Sequence, residues 1–240
     1  CNNKQGRDKV SKKIITLLVF ILGIPAIIFG CSKLITSKQY YVASALIIAL
    51  ALAALFLSLE KKKMKTSELV AIACVVALAV VGRAALFMFT QVKLTCAIVI
   101  FAAISFGPYV GFLCGSLSML ISNIFFGQGV YTPFQMFGMG LVAFLCGLIF
   151  YKKSYDRNRW AVAIIGGILC FAVYGFIVDS SSALFFSAAP TIKKMLPVYI
   201  SGLSFNAIHA VTTLVALFVA TPYLQDTFDR IAKKYGLFGA

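Results

Sequence analysis

Arg83 closes a run from Leu69 to Gly82 that carries no charge. A guanidinium in a lipid-embedded helix costs at least roughly 2.5 to 3.5 kcal/mol. Two arrangements offset that cost: the side chain reaches the membrane interface, or it faces a polar cavity where a ligand or partner residue meets it. Laid out as membrane spans, the chain places further polar side chains near the level of Arg83: Gln91, Lys93, Asn123, Gln128, Tyr131, Gln135, Asp179 and Ser180 to Ser182. Asn206 and His209 are three residues apart, so they share a helical face. They lie deeper, near the midplane if their helix starts around Pro197. Such a set can bind a small ligand by hydrogen bonds and charge, with stacking on Phe87, Phe89, Tyr131 or Phe137.

Each residue also has a plainer reading. Lys93 and Asp179 fit solvated loop positions, Asn123 fits a helix-to-helix hydrogen bond, and His209 fits a hydrogen-bonded interior imidazole. Convergence favours a site, because several spans direct polar groups to one outward level while the inner half stays almost purely apolar. That pattern describes a substrate cup closed at its base.

Catalytic and nucleotide-binding patterns are missing. The chain has no GxxxxGK[ST], HExxH or GxSxG segment. Gly138-Met-Gly140-Leu-Val-Ala143 matches a dinucleotide pattern only in letters, since it sits inside an apolar helix, where glycine serves packing. The seven cysteines, Cys1, Cys31, Cys74, Cys96, Cys114, Cys146 and Cys170, have no metal-ligand spacing and read as small apolar fillers. Neither a metal nor a cofactor is expected, and the chain is not expected to be an enzyme.

The elements that must position these residues follow from hydropathy. The chain is 61% hydrophobic and 12% charged over 240 residues, with a mean hydropathy of +0.98. These values predict an all-α polytopic membrane protein. Apolar stretches predict eight spans: Ile14 to Gly30, Tyr40 to Ser58, Ser67 to Phe89, Leu94 to Phe106, Tyr109 to Phe126, Pro133 to Phe150, Trp160 to Val178 and Leu196 to Ala220. The short fourth span joins the fifth through Gly107 and Pro108 as a tight helical hairpin. With the N-terminus inside, sixteen Lys and Arg fall on the inner side and five on the outer, so both termini are expected to be cytoplasmic.

The net charge of +15 is spread over short juxtamembrane segments, which suits an anionic lipid leaflet and not nucleic acid. After Pro222, Leu224, Phe228, Ile231 and Tyr235 form an apolar stripe opposite Asp229, Arg230, Lys233 and Lys234. That tail is expected along the membrane surface or against a cytoplasmic partner. A lipid on Cys1 would require that end outside, against the charge of Lys4 to Lys13, and no cleavable signal segment is expected. Gly107, Gly111 and Gly115, continued by Ser118 and Ser122, predict close helix approach, as do Ala73 and Ala77. An exposed small-residue stripe would instead dock another membrane protein.

Three blocks carry a resemblance. Gly82-Arg83-Ala-Ala-Leu-Phe87-Met-Phe89-Thr-Gln91-Val-Lys93, Phe106-Gly107-Pro108-Tyr-Val-Gly111-Phe-Leu-Cys-Gly115 and the run from Ser122-Asn123 through Gly127-Gln128-Gly129-Val-Tyr131-Thr132-Pro133 to Gln135-Met136-Phe137 resemble the substrate-binding S components of energy-coupling factor (ECF) transporters. The chain looks most like their cobalamin-type branch, over about residues 67–222. The resemblance implies a six-helix core (67–222) after a basic N-terminus (1–13) and a two-helix hairpin (14–58), with an amphipathic tail (223–240). It implies capture of a vitamin, best a cobalamin or related corrinoid, in an outer cup capped by 91–93, 127–132 and 179–194. It also implies delivery through a transmembrane coupling protein driven by two cytoplasmic ATPases, in a bacterial cell membrane.

The implied site comprises Arg83, Phe87, Gln91, Lys93, Asn123, Gln128, Tyr131, Gln135, Asp179, Asn206 and His209, with Ala73 and Ala77 on the docking face. The competing reading is an ion-coupled secondary transporter, which requires a membrane carboxylate. Only Asp179 lies even near a span end.

Overall fold

A computed structural model describes residues 64–239, apart from 90–91, 130, 152–157 and 187–190, together with residue 49. Apart from residue 49, the two N-terminal spans lie outside the described residues, as does Gln91. The rest is helical: α1 (Thr66–Ala85), α2 (Thr95–Phe106), α3 (Pro108–Phe126), α4 (Thr132–Phe150), α5 (Arg159–Leu169), α6 (Phe176–Phe186), α7 (Ile192–Ala220) and α8 (Asp226–Lys234). A π-helical segment, Cys170–Gly175, joins α5 to α6, and another, Thr221–Gln225, joins α7 to α8. Five of the resulting rods are long and apolar enough to cross a membrane, and α2 is a shorter sixth.

Helix α2 is the hub. Twelve residues rise only about 18 Å, short of a hydrocarbon core of about 30 Å, and all twelve are buried within the protein. Apolar residues on every face leave no side to expose. Gly107, at φ 107°, reverses the chain, and Pro108 starts α3 where its missing N–H is not needed. The expected hairpin therefore forms.

Small residues set the spacing of α3 and α4. A Cβ on Gly115 would lie 2.8 Å from the Met139 carbonyl oxygen and 2.9 Å from Gly140 Cα. Gly140 meets the Phe112 carbonyl in return, and Ser116 Oγ donates to the Met136 carbonyl at 3.1 Å. The Gly138–Gly140 segment thus packs helices. Gly115→Val should destabilise the protein by about 3 kcal/mol, seen as a lower unfolding temperature in detergent. An unchanged midpoint would mean that these backbones can part freely.

Two expectations about helix ends are corrected. Asp179 and Ser180 to Ser182 do not begin a loop, because α6 runs on to Phe186. Ser180 donates to the Phe176 carbonyl, and Ser181 and Ser182 both donate to that of Val178, so the hydroxyls are satisfied by the helix itself. Helix α7 starts at Ile192 and keeps Pro197 inside. Much of the expected cap over 179–194 is therefore helix, and Asn206 and His209 lie about 21 and 26 Å from the first residue of α7.

The tail stripe is also rotated from expectation. The π-helical turn Thr221–Gln225 shifts the helical register, so Gln225, Phe228, Ala232 and Leu237 are buried while Ile231 and Tyr235 are exposed. This face packs on the core. Phe106 lies between Phe228 and Phe238, at centroid distances of 5.5 and 5.2 Å. Gln225 donates to Ser105, and the Phe238 amide donates to the Glu68 carboxylate at 2.7 Å.

Candidate functional site

The last turn of α1 brings Arg83 against the far end of α3. Nη1 donates to Ser122 Oγ at 2.5 Å and to Asn123 Oδ1 at 2.9 Å, with Met119 Sδ at 3.9 Å. The guanidinium also lies 5.1 Å from the Phe126 ring centroid, a cation–π contact. Arg83 therefore turns into the protein, which offsets part of its desolvation. Among the described residues no carboxylate pairs with it, and Nε and Nη2 carry no protein hydrogen bond.

A second layer sets the position of its acceptors. Asn123 is 1% exposed. Its amide donates to Gln135 Oε1 at 2.8 Å and Thr132 Oγ1 at 3.2 Å. Thr132 donates to Gln128 Oε1 at 2.9 Å, and Gln128 Nε2 returns the chain to α3 at the Leu120 carbonyl. Tyr131 donates to the Gly127 carbonyl at 2.8 Å. Four of the expected residues, Arg83, Asn123, Gln128 and Gln135, thus share one network, with Tyr131 beside it. Ser122 and Thr132 complete that network. Their signal was position, one residue from Asn123 and one from Pro133, but a hydroxyl reads equally as small-residue packing.

Because Asn123 is sealed, it orients Arg83 instead of offering a surface. Asn123→Leu keeps much of the volume but strands Gln135 and one Arg83 contact. A buried polar group left unpaired costs about 1 to 3 kcal/mol, so ligand affinity should fall roughly tenfold and the unfolding temperature should drop. Isothermal titration with thermal unfolding checks both, and unchanged affinity would remove Asn123 from the site.

Around the network the surface changes character. Phe87 is 63% exposed and stacks on Phe126 at 4.9 Å. Lys93 is half-buried near Arg83, because Leu94 Cβ lies 3.4 Å from where a Cβ on Gly82 would be. Burial, followed by the Arg83 charge, holds the Lys93 ammonium below the usual lysine range. This end of the bundle therefore carries two cations with no carboxylate partner among the described residues, beside an open aromatic ring.

The remaining expected residues are not hydrogen-bonded to this network among the described residues. Asn206 Nδ2 donates to Asp179 Oδ2 at 2.7 Å, tying α7 to α6. Ser180 and Tyr199 share a hydrogen bond at 2.8 Å nearby. His209 packs edge-on against Tyr174 at 5.3 Å, and its buried Nε2 has no hydrogen-bond partner among the described residues. Tyr174, which sequence reasoning passed over inside an apolar run, donates to Met119 Sδ at 3.9 Å, the same sulfur that Arg83 approaches.

Among the described residues no three His, Cys, Asp or Glu side chains gather at metal-binding distance. Such an arrangement suits the binding of donors, acceptors and rings. A family model described as "ECF-type riboflavin transporter, S component" matches residues 63–225, more than half of the chain. Comparison with curated proteins and with solved structures gave no match.

Proposed function

Because the chain belongs to the family of ECF-type riboflavin transporter S components, which are vitamin-binding subunits of multi-pass membrane importers, we propose that it captures a corrinoid such as cobalamin at the Arg83 end. One observation carries this reading. Arg83 is fixed through Nη1, and among the described residues its Nε and Nη2 carry no hydrogen bond, near Lys93 and the exposed Phe87 ring. A corrinoid periphery of carboxamide oxygens matches such donors, and the three sequence blocks resembling the cobalamin-type branch support the same choice.

Charge distribution supports placing this end outside a bacterial cell membrane, with both termini in the cytoplasm. The bound ligand would be released inward after the subunit docks, through Ala73 and Ala77, on a transmembrane coupling protein served by two ATPases. Ion coupling has little support in the chain, since among the described residues Glu68, Asp226 and Asp229 lie at the ends of the spanning rods and Asp179 is the one acid inside them.

A flat ligand is the second reading. The family description names riboflavin, and the exposed Phe87 ring stacked on Phe126 suits an isoalloxazine face. Purified protein in detergent, screened by thermal shift against cobalamin, other corrinoids, queuine-like bases, pantothenate and riboflavin, separates the two. Stabilisation by corrinoids is expected. Stabilisation by riboflavin alone would assign the second reading, and no shift with any of them would overturn vitamin capture at this site.

A further inference from the structure

Helices α6 and α7 meet through a reciprocal arrangement. Gly175 and Asp179 are four residues apart, as are Gly202 and Asn206. A Cβ on Gly202 would lie 2.5 Å from both carboxylate oxygens of Asp179, and one on Gly175 would lie 2.7 Å from the Asn206 carboxamide. Each polar side chain therefore occupies space that the opposite glycine leaves empty, and the two are joined by the 2.7 Å hydrogen bond.

That bond uses one oxygen of the carboxylate and the nitrogen of the amide. Asp179 Oδ1 and Asn206 Oδ1 carry no hydrogen bond among the described residues. They are also not sealed, since the buried orphan atoms are His209 Nε2 and Gln225 Oε1. No lysine or arginine among the described residues pairs with Asp179. A carboxylate at membrane depth with no cation and open acceptor atoms calls for an outside donor.

The pair lies on the α7-facing side of α6, and the α4-facing side of the same rod leads to the site already described. Gly138, one turn along α4 from Gln135, packs on Tyr174 and Ile177, just before Asp179. Tyr174 reaches Met119, the residue that Arg83 also contacts. We infer that Asp179 and Asn206 are specificity-determining residues whose open oxygens accept N–H groups from neutral carboxamides of the ligand and disfavour carboxylates in their place. This rests on the corrinoid reading above. A ligand with several carboxamides has both halves of the required chemistry: the oxygen of one suits Arg83 and Lys93, and the nitrogen of another suits Asp179 and Asn206.

Binding of cyanocobalamin and of its singly hydrolysed derivatives, each with one peripheral carboxamide converted to a carboxylate, tests this on the full chain in detergent. Wild type should bind at least one derivative about tenfold more weakly than the parent, because the carboxylate faces Asp179 without a donor. Asp179→Asn, nearly isosteric, should weaken the parent and shrink that gap to about threefold or less. Asn206→Ser, with the same expected narrowing, serves if Asp179→Asn does not fold.

If the variant keeps wild-type discrimination and changes only the unliganded unfolding temperature, the pair is a structural clamp and the inference fails. Arg83→Ala is measured alongside. Loss of binding there, with none in Asp179→Asn, defeats the inference and leaves the corrinoid reading standing. If wild type binds no corrinoid, both fall.

Discussion

Replacing Arg83 with alanine should raise the dissociation constant of the bound vitamin roughly 100-fold, the equivalent of about 3 kcal/mol. Hydrogen bonds to a charged group contribute about 1.5 to 3 kcal/mol each, and Arg83 has Nε and Nη2 available for a ligand. The folded protein should tolerate the change, because removing a desolvated guanidinium offsets the loss of its bonds to Ser122 and Asn123. Arg83→Lys should fall between the two: it keeps the charge but loses the further donors, Nε and Nη2, that the guanidinium has besides the Nη1 bonded to Ser122 and Asn123. Titration calorimetry on detergent-purified protein, with thermal unfolding of the same samples, measures both quantities. Unchanged affinity in Arg83→Ala would place the ligand elsewhere.

The second large effect concerns delivery. Ala73→Trp with Ala77→Trp should leave ligand binding within about twofold of wild type yet reduce vitamin uptake by cells more than tenfold, because an indole blocks the close backbone approach that small residues permit. Val70, Ala73, Ala77, Val81 and Ala84 are all exposed and follow one another at three- and four-residue steps along α1. They form an apolar stripe with its smallest residues at the centre, on the face turned away from Ile72, Val75, Val76 and Ala79, which enter the core. The substitutions therefore disturb no packing among the described residues. Uptake at wild-type rate would move docking to another surface.

Much of the helical core was legible in the chain because hydropathy is a local, additive property. The third to sixth spans were placed within a few residues of α1 to α4, and the Gly107–Pro108 hairpin followed from backbone constraints alone. Gly111 and Gly115 were legible for a similar reason, since a missing side chain permits close approach whichever helix supplies the neighbour. The helix ends near Asp179 and Pro197 were read short. Polar residues and proline signal an end in water, but at membrane depth a hydroxyl bonds its own helix and the rod continues.

Site geometry was legible only in outline. Arg83 stood out from sequence because a lone charge in an apolar run demands compensation, whatever surrounds it. Its acceptors, Ser122 and Asn123, its contact with Met119, and the separate Asp179–Asn206 pair depend on how each helix is rotated about its axis. That rotation is settled by packing over the whole bundle, as the π-helical turn before α8 illustrates by exposing Ile231 and burying Ala232. Composition and spacing determined a membrane-embedded helical core with one charged residue in need of a partner. Tertiary structure alone decided which partners it has, because hydrogen bonds require atoms within about 3 Å and a one-residue change in register moves a side chain by about 100° around the helix.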